Sequence, residues 1–102
     1  MDYIVENALI SLTRRVNVSS NLTNPSDKGA AVSLFRILKD HEIMFDPDEV
    51  EIWALRNEWK SKVAKNLRSI AQGILDGKRL QGGKDNWAPD VFNHWKSNEE
   101  QV

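Results

Sequence analysis

The residues able to do chemistry are few and scattered. His41 and His94 are the only imidazoles in the 102 residues, and there is no cysteine. The lack of thiols removes disulfides, thiolate nucleophiles and cysteine-based zinc sites together. Metal sites need clustered ligands, and each histidine stands alone in its segment. Asp46, Asp48 and Glu49 form the densest carboxylate group. Pro47 interrupts it, and the alternating ligands and mid-loop glycine of a calcium loop are missing, so it reads as a helix start. Nucleophilic catalysis needs a hydroxyl, a base and an orienting group set together. There is no Gly-x-Ser-x-Gly elbow, and Gly73, Gly77, Gly82 and Gly83 fit neither nucleotide-binding fingerprint. We expect no catalytic residue, no metal and no cofactor, and hence no enzyme.

Charge is distributed more informatively. Residues 40–58 carry Asp40, Glu42, Asp46, Asp48, Glu49, Glu51 and Glu58 against Arg56. Residues 60–84 carry Lys60, Lys62, Lys65, Arg68, Lys78, Arg79 and Lys84 against Asp76. Lys62, Lys65 and Arg68 fall close to one helical face. With Lys78 and Arg79 nearby they make a candidate phosphate-contacting patch. The plainer reading is the solvated back of an amphipathic helix, and it is the stronger one. A helix-turn-helix built from 27–41 and 46–58 is unattractive, because Asp48, Glu49 and Glu51 would meet the DNA backbone.

Four tryptophans, Trp53, Trp59, Trp87 and Trp95, are many for this length. Each buries on the order of 200 Å2 when packed. Trp53 or Trp59 belongs in a core. Trp87 and Trp95 lie near the loop and tail, where either core or surface is open to them. Tryptophan is enriched at binding hot spots, so Trp87, Phe92 and Trp95 are the candidate protein contacts.

The length allows one domain, here 1–102. Net charge is -1, with 40% hydrophobic and 28% charged residues. That gives no bulk electrostatic attraction to nucleic acid or an anionic membrane. The opening MDYIVENALISL lacks a basic leader, and no apolar run approaches membrane-spanning length. A soluble cytoplasmic protein is expected, with no membrane partner.

The elements that must position these residues are helical. Ile4, Val5, Ala8, Leu9 and Leu12 place a helix over 3–15. Residues 16–27 are rich in Asn, Ser and Thr, which bond locally and favour a loop; Val16, Val18 and Leu22 can tuck against the core. Ser26 or Asp27 caps a helix over 27–41, with Ala31, Leu34, Phe35 and Leu38 as its stripe and Ala30 and Ile37 widening it. Asp46 and Glu49 form a capping box, Pro47 sits at the first helical position, and Phe45 and Val50 hold the staple positions. From there Ile52, Leu55, Trp59, Val63, Leu67, Ile70 and Ile74 step by three or four without a slip. The pattern suits one helix to Asp76 or two that fold back near Trp59, with Ser61 as a fresh cap. Compactness favours two, over 47–58 and 61–76, the second stopped by Gly77. A glycine-rich loop follows, then Pro89 opens a helix over 89–97 and the tail frays. The fold class is an all-α bundle of four to five helices.

The order of these pieces resembles the YoaC-like proteins, small bacterial helical domains of unknown function. The points of likeness are Ala8-Leu9, Val18-Ser19-Ser20, Lys28-Gly29, Phe35 with Leu38-Lys39, Trp59 at a turn, Gly77-Lys78-Arg79 and Pro89-Asp90-Val91-Phe92. The resemblance implies a compact bundle with a break near Trp59. It brings no catalytic residue, cofactor or partner.

Two functional expectations stand. One is a protein-binding or self-associating module, and the other a nucleic-acid-associated accessory protein. The best-specified local feature yields a test of its own: Asp46→Ala should cost about 0.5–2 kcal/mol. The urea midpoint would fall at unchanged slope, and an unmoved midpoint would remove the cap.

Overall fold

The apolar periodicities close into five helices, with no strand among the described residues. They are α1 (Tyr3–Arg15), α2 (Pro25–Asp40), α3 (Pro47–Arg56), α4 (Ser61–Leu75) and α5 (Val91–Ser97). They are taken from a computed structural model that describes residues 1–19, 22–80 and 87–97. The loop expected after Gly77 and the tail expected to fray fall largely outside those residues, as do Gly82, Gly83 and Lys84.

Packing runs in the spatial order α3, α4, α2, α1, α5. Central α2 is covered by α1 on one side and α4 on the other, so every residue from Gly29 to Phe35 is buried. A single apolar stripe could not reveal this, because Val32 and Ser33 lie off the stripe. In α1 the buried set is Ile4, Val5, Ala8, Leu9 and Leu12, the face its spacing predicts. Val16 and Leu22 of the polar loop are buried and Val18 is half-buried. The Cα radius of gyration is 12.4 Å, close to the roughly 13 Å of a compact 100-residue domain.

Three of the longer helices begin with a side-chain cap. Asp2 accepts from the Ile4 amide at 2.7 Å, Asn24 from Ser26 at 2.9 Å and Asp46 from Asp48 at 2.9 Å. Asn24 thus starts α2 two residues before the expected 27, with Pro25 in the first turn, where its missing N–H costs nothing. At Asp46 the side chain caps the helix, but neither bond of the expected box forms. The amide bound is that of Asp48, and the Glu49 carboxylate lies 3.7 Å from the Met1 amino group. Helix α4 differs from the expectation too: Lys60 is its N-cap residue, no side chain caps it, and Ser61 is the first helical residue.

Three helices end alike, in a Schellman arrangement with a left-handed residue just past the cap. After α2, Ile43 N–H donates to Leu38 at 2.9 Å and Glu42 to Lys39 at 3.0 Å, with Glu42 at φ 59°. After α3, Trp59 donates to Ala54 at 3.0 Å and Glu58 to Leu55 at 3.2 Å, with Glu58 at φ 67°. After α4, Lys78 donates to Gly73 at 2.9 Å and Gly77 to Ile74 at 3.1 Å, with Gly77 at φ 74°. Asn57 adds a side-chain bond to the Trp53 carbonyl at 2.8 Å. The chain therefore breaks before Trp59, as compactness favours, and α3 ends at Arg56 rather than 58. Helix α5 opens at Val91 rather than 89, after a turn in which Val91 N–H donates to Ala88 at 3.0 Å.

The break changes which face of α3 is core. Val50, Trp53 and Ala54 are buried, whereas Ile52 and Leu55 are 47% and 44% exposed. The unbroken step through Ile52 and Leu55 to Trp59 belonged to a helix that does not form. Trp59 itself is 3% exposed and meets Trp53 edge-on at 6.3 Å between centroids. Its indole N–H has no acceptor among the described residues. Such a group costs about 1–3 kcal/mol, which burial of the ring must offset.

The left-handed positions separate backbone strain from packing. A Cβ on Gly77 would meet nothing within 4 Å. Gly77→Ala should therefore lose about 1 kcal/mol through φ alone. Glu58→Gly, which relieves the same strain, should gain a few tenths to about 1 kcal/mol. Urea midpoints read both, and a destabilised Glu58→Gly would show that its side chain contributes more than its backbone costs.

Candidate interaction surface

The tryptophans of the closing segment turn inward. Trp95 is fully buried, which corrects the expectation of an exposed contact. Its indole N–H donates to Ser11 Oγ at 3.0 Å, and its carbonyl accepts from Asn7 Nδ2 at 2.8 Å. Tyr3 O–H donates to the Lys96 carbonyl at 3.1 Å, so two α1 side chains satisfy carbonyls of α5. Trp87 is half-buried, donates to the Ala30 carbonyl at 2.9 Å and meets Trp95 edge-on at 5.5 Å. The Arg15 guanidinium lies 4.3 Å from the Trp87 ring centroid, a cation–π distance. Phe92 is half-buried and stacks on His41 at 3.7 Å with an interplanar angle of 4°. Trp87, Phe92 and Trp95 are the glue between α5 and the bundle. Nothing in their order along the chain distinguishes an indole that docks its own helix from one that docks a partner.

The five candidate phosphate contacts are all exposed, but they do not present equal charge. Arg68 Nε donates to Asp48 Oδ1 at 2.8 Å and lies 3.5 Å from Glu51 Oε1. Antiparallel packing of α3 on α4 thus sets the acidic stretch against the basic one. Lys78 shares with Arg68 the lining of a surface cavity of about 260 Å3, together with Ser69 and Gln72. Lys65 and Lys62 stand about one and two turns nearer the start of α4 than Arg68, and Arg79 follows Lys78 in the chain. Elsewhere cations serve the fold: Lys39 Nζ donates to the Ile74 carbonyl at 2.9 Å and Arg36 to Leu80 at 3.3 Å.

Large apolar side chains exposed among the described residues are Met1, Tyr3, Met44, Ile52, Leu55 and Leu75, and two of them share one face of α3. Ile52 and Leu55 sit at i and i+3, diametrically opposite Val50, Trp53 and Ala54. Asp48, Glu49 and Arg56, all exposed, and half-buried Glu51 surround them. Sequence reasoning assigned the pair to the core. The signal it missed was the second stripe through Val50, Trp53 and Ala54, which the staple at Phe45 and Val50 already favoured.

Little else is arranged for chemistry. Among the described residues no three His, Asp or Glu side chains gather as a metal site would require. An open cavity of about 360 Å3 is lined by Leu22, Thr23, Lys28, Asn66, Ser69, Ile70 and Leu80. Its hydroxyls have neither imidazole nor carboxylate in the lining. No helix among the described residues is long and apolar enough to cross a membrane.

Comparison with known families places the chain. The model of a domain of unknown function, DUF1889, matches residues 1–96. The chain belongs to that family. No curated protein and no solved structure matches it. The match spans the starts of all five described helices, and within this DUF1889 chain the outer side of α3 keeps Ile52 and Leu55 exposed.

The inward placement of Trp95 has a measurable consequence. Trp95→Ala should cost about 3–5 kcal/mol, and Ser11→Ala, which removes one hydrogen-bond acceptor, about 1 kcal/mol. Chemical denaturation monitored by far-UV dichroism reads both. A loss below 1 kcal/mol for Trp95→Ala would place the indole outside the core after all.

Proposed function

We propose that this DUF1889 chain is a non-enzymatic protein-interaction module of the cytoplasm that docks through the outward face of α3. The observation that carries the reading is the pair Ile52 and Leu55, each nearly half exposed one turn apart on a helix whose other apolar residues are buried. Apolar side chains ringed by charge are the usual composition of a docking surface, a dry centre inside a polar rim. The Trp87, Phe92 and Trp95 set no longer supports the reading, because its members pack on α1, α2 and each other. The narrower YoaC-like placement belongs to the same proposal and rests on the short matches along the chain.

A second reading takes Lys62, Lys65, Arg68, Lys78 and Arg79 as phosphate contacts. The approach of Lys78 to Arg68 at one cavity favours it, and the two carboxylates on Arg68 weigh against it. Binding to mixed DNA or RNA at low salt that falls steeply with added salt would carry this reading instead.

The docking face is tested by Ile52→Lys. The side chain is half exposed, so stability should change by less than about 0.5 kcal/mol. Tagged wild-type protein should retain a reproducible partner from its native lysate that the variant loses. Equal capture by both, with the fold intact by dichroism, would refute the α3 face.

A further inference from the structure

The α3–α4 hairpin carries its charge in two parallel ridges. Asp48 and Glu51 on α3 both approach Arg68 on α4, which marks the level at which the two antiparallel helices lie side by side. In that register Ile52 stands level with Lys65, and Leu55 with Lys62. The outer ridge of α3 is therefore acidic and apolar, through Asp48, Glu51, Ile52 and Leu55. The outer ridge of α4 is basic and polar, through Ser61, Lys62, Lys65 and Ser69, which are all exposed. Helix α4 also starts without a capping side chain or an acidic residue in its first turn, and Lys60 and Lys62 stand at the end where the helix dipole disfavours cations.

We propose that this face is self-complementary and that its occupant is a second copy of the same chain. The proposal rests on the interaction reading above and names the partner. A two-fold axis running between α3 and α4, parallel to both, lays α3 of one copy on α4 of the other, twice over. Every neighbouring pair of helices is then antiparallel, as in a four-helix bundle. Ile52 meets the aliphatic stem of Lys65 in the second copy, and Leu55 meets that of Lys62. Lysine stems cover apolar surface while their ammonium groups stay hydrated. The Lys65 ammonium stands level with Glu51 and Asp48, two carboxylates that share the single cation of Arg68 and so keep a net negative charge. The alternative two-fold, which stacks α3 on α3 and α4 on α4, sets carboxylates on carboxylates and lysines on lysines. Like charges oppose it, so the charge pattern selects one of the two arrangements.

The test uses sedimentation equilibrium on the full chain, from low-micromolar to near-millimolar concentration at low and high salt. Wild-type mass should rise from the monomer's 11.7 kDa to twice that value, and the rise should weaken with salt. Ile52→Lys sets a cation opposite Lys65 of the second copy, and Lys65→Glu removes the cation that covers Ile52. Each change occurs twice in a symmetric interface and should weaken association about tenfold or more. Mixed in equal amounts, the two variants should associate again. One contact then pairs the new lysine at 52 with the new glutamate at 65, and the other contact is wild-type. A wild-type chain that stays monomeric throughout overturns the inference, as does a dimer indifferent to both substitutions or a mixture that fails to recover. If the pure chain is monomeric while lysate capture still depends on Ile52, the second copy is refuted and the docking face stands. If capture is also indifferent to Ile52, both fall.

Discussion

The reversal at Asn57, Glu58 and Trp59 is the constraint on which the rest of this bundle depends. Three backbone carbonyls at the end of α3 are satisfied there, those of Trp53, Ala54 and Leu55, by Asn57, Trp59 and Glu58. A left-handed glutamate is a costly residue at such a turn. It is tolerated because the turn delivers the Trp59 ring into the core beside Trp53 and returns the chain so that α4 can lie along α3. Without the reversal a single helix through Trp59 would hold Ile52 and Leu55 on the same stripe as Val63 and Leu67. With it, the stripe is rotated, and Val50, Trp53 and Ala54 face inward instead. One turn therefore decides both which residues are core and which apolar residues are left outside.

The same folding-back brings opposite charges together. The chain separates acidic from basic residues in order, and the hairpin sets them side by side, with Arg68 between Asp48 and Glu51. All three side chains are partly exposed, and such pairs contribute at most about 1 kcal/mol. Their larger effect is on what the surface can bind. A cation held by two carboxylates offers little net charge to a phosphate, whereas the ridge of lysines beside it remains open to carboxylates.

The far end of the chain works by a different device. Helix α5 shows seven residues among those described, and a segment of that length is not stable alone. It is held by the Trp95 ring, by edge-on contact with Trp87, and by Asn7 and Tyr3 donating to its carbonyls. Aromatic rings that combine large buried area with one polar atom suit this task. The price of using them so is that the molecule keeps fewer aromatics for its surface.

The sequence by itself determined the helices, their approximate limits, and the inward faces of α1 and α4, because 3.6-residue periodicity and local caps are properties of short segments. It also marked the stop at Gly77, but it allowed one helix through Trp59 as well as two, and its capping box put the Glu49 amide on Asp46 where the fold has that of Asp48. Only the tertiary structure decided that α2 is covered on two sides, that Trp95 is core, and that Ile52 and Leu55 are not. Each of those depends on what lies opposite a residue, and residues far apart in the chain supply it: Ser11 for Trp95, Ala30 for Trp87, Arg68 for Asp48. A helical stripe says that a side chain is apolar. Which of two stripes is buried is settled by where the neighbouring helix lies, and that is fixed by the turn between them.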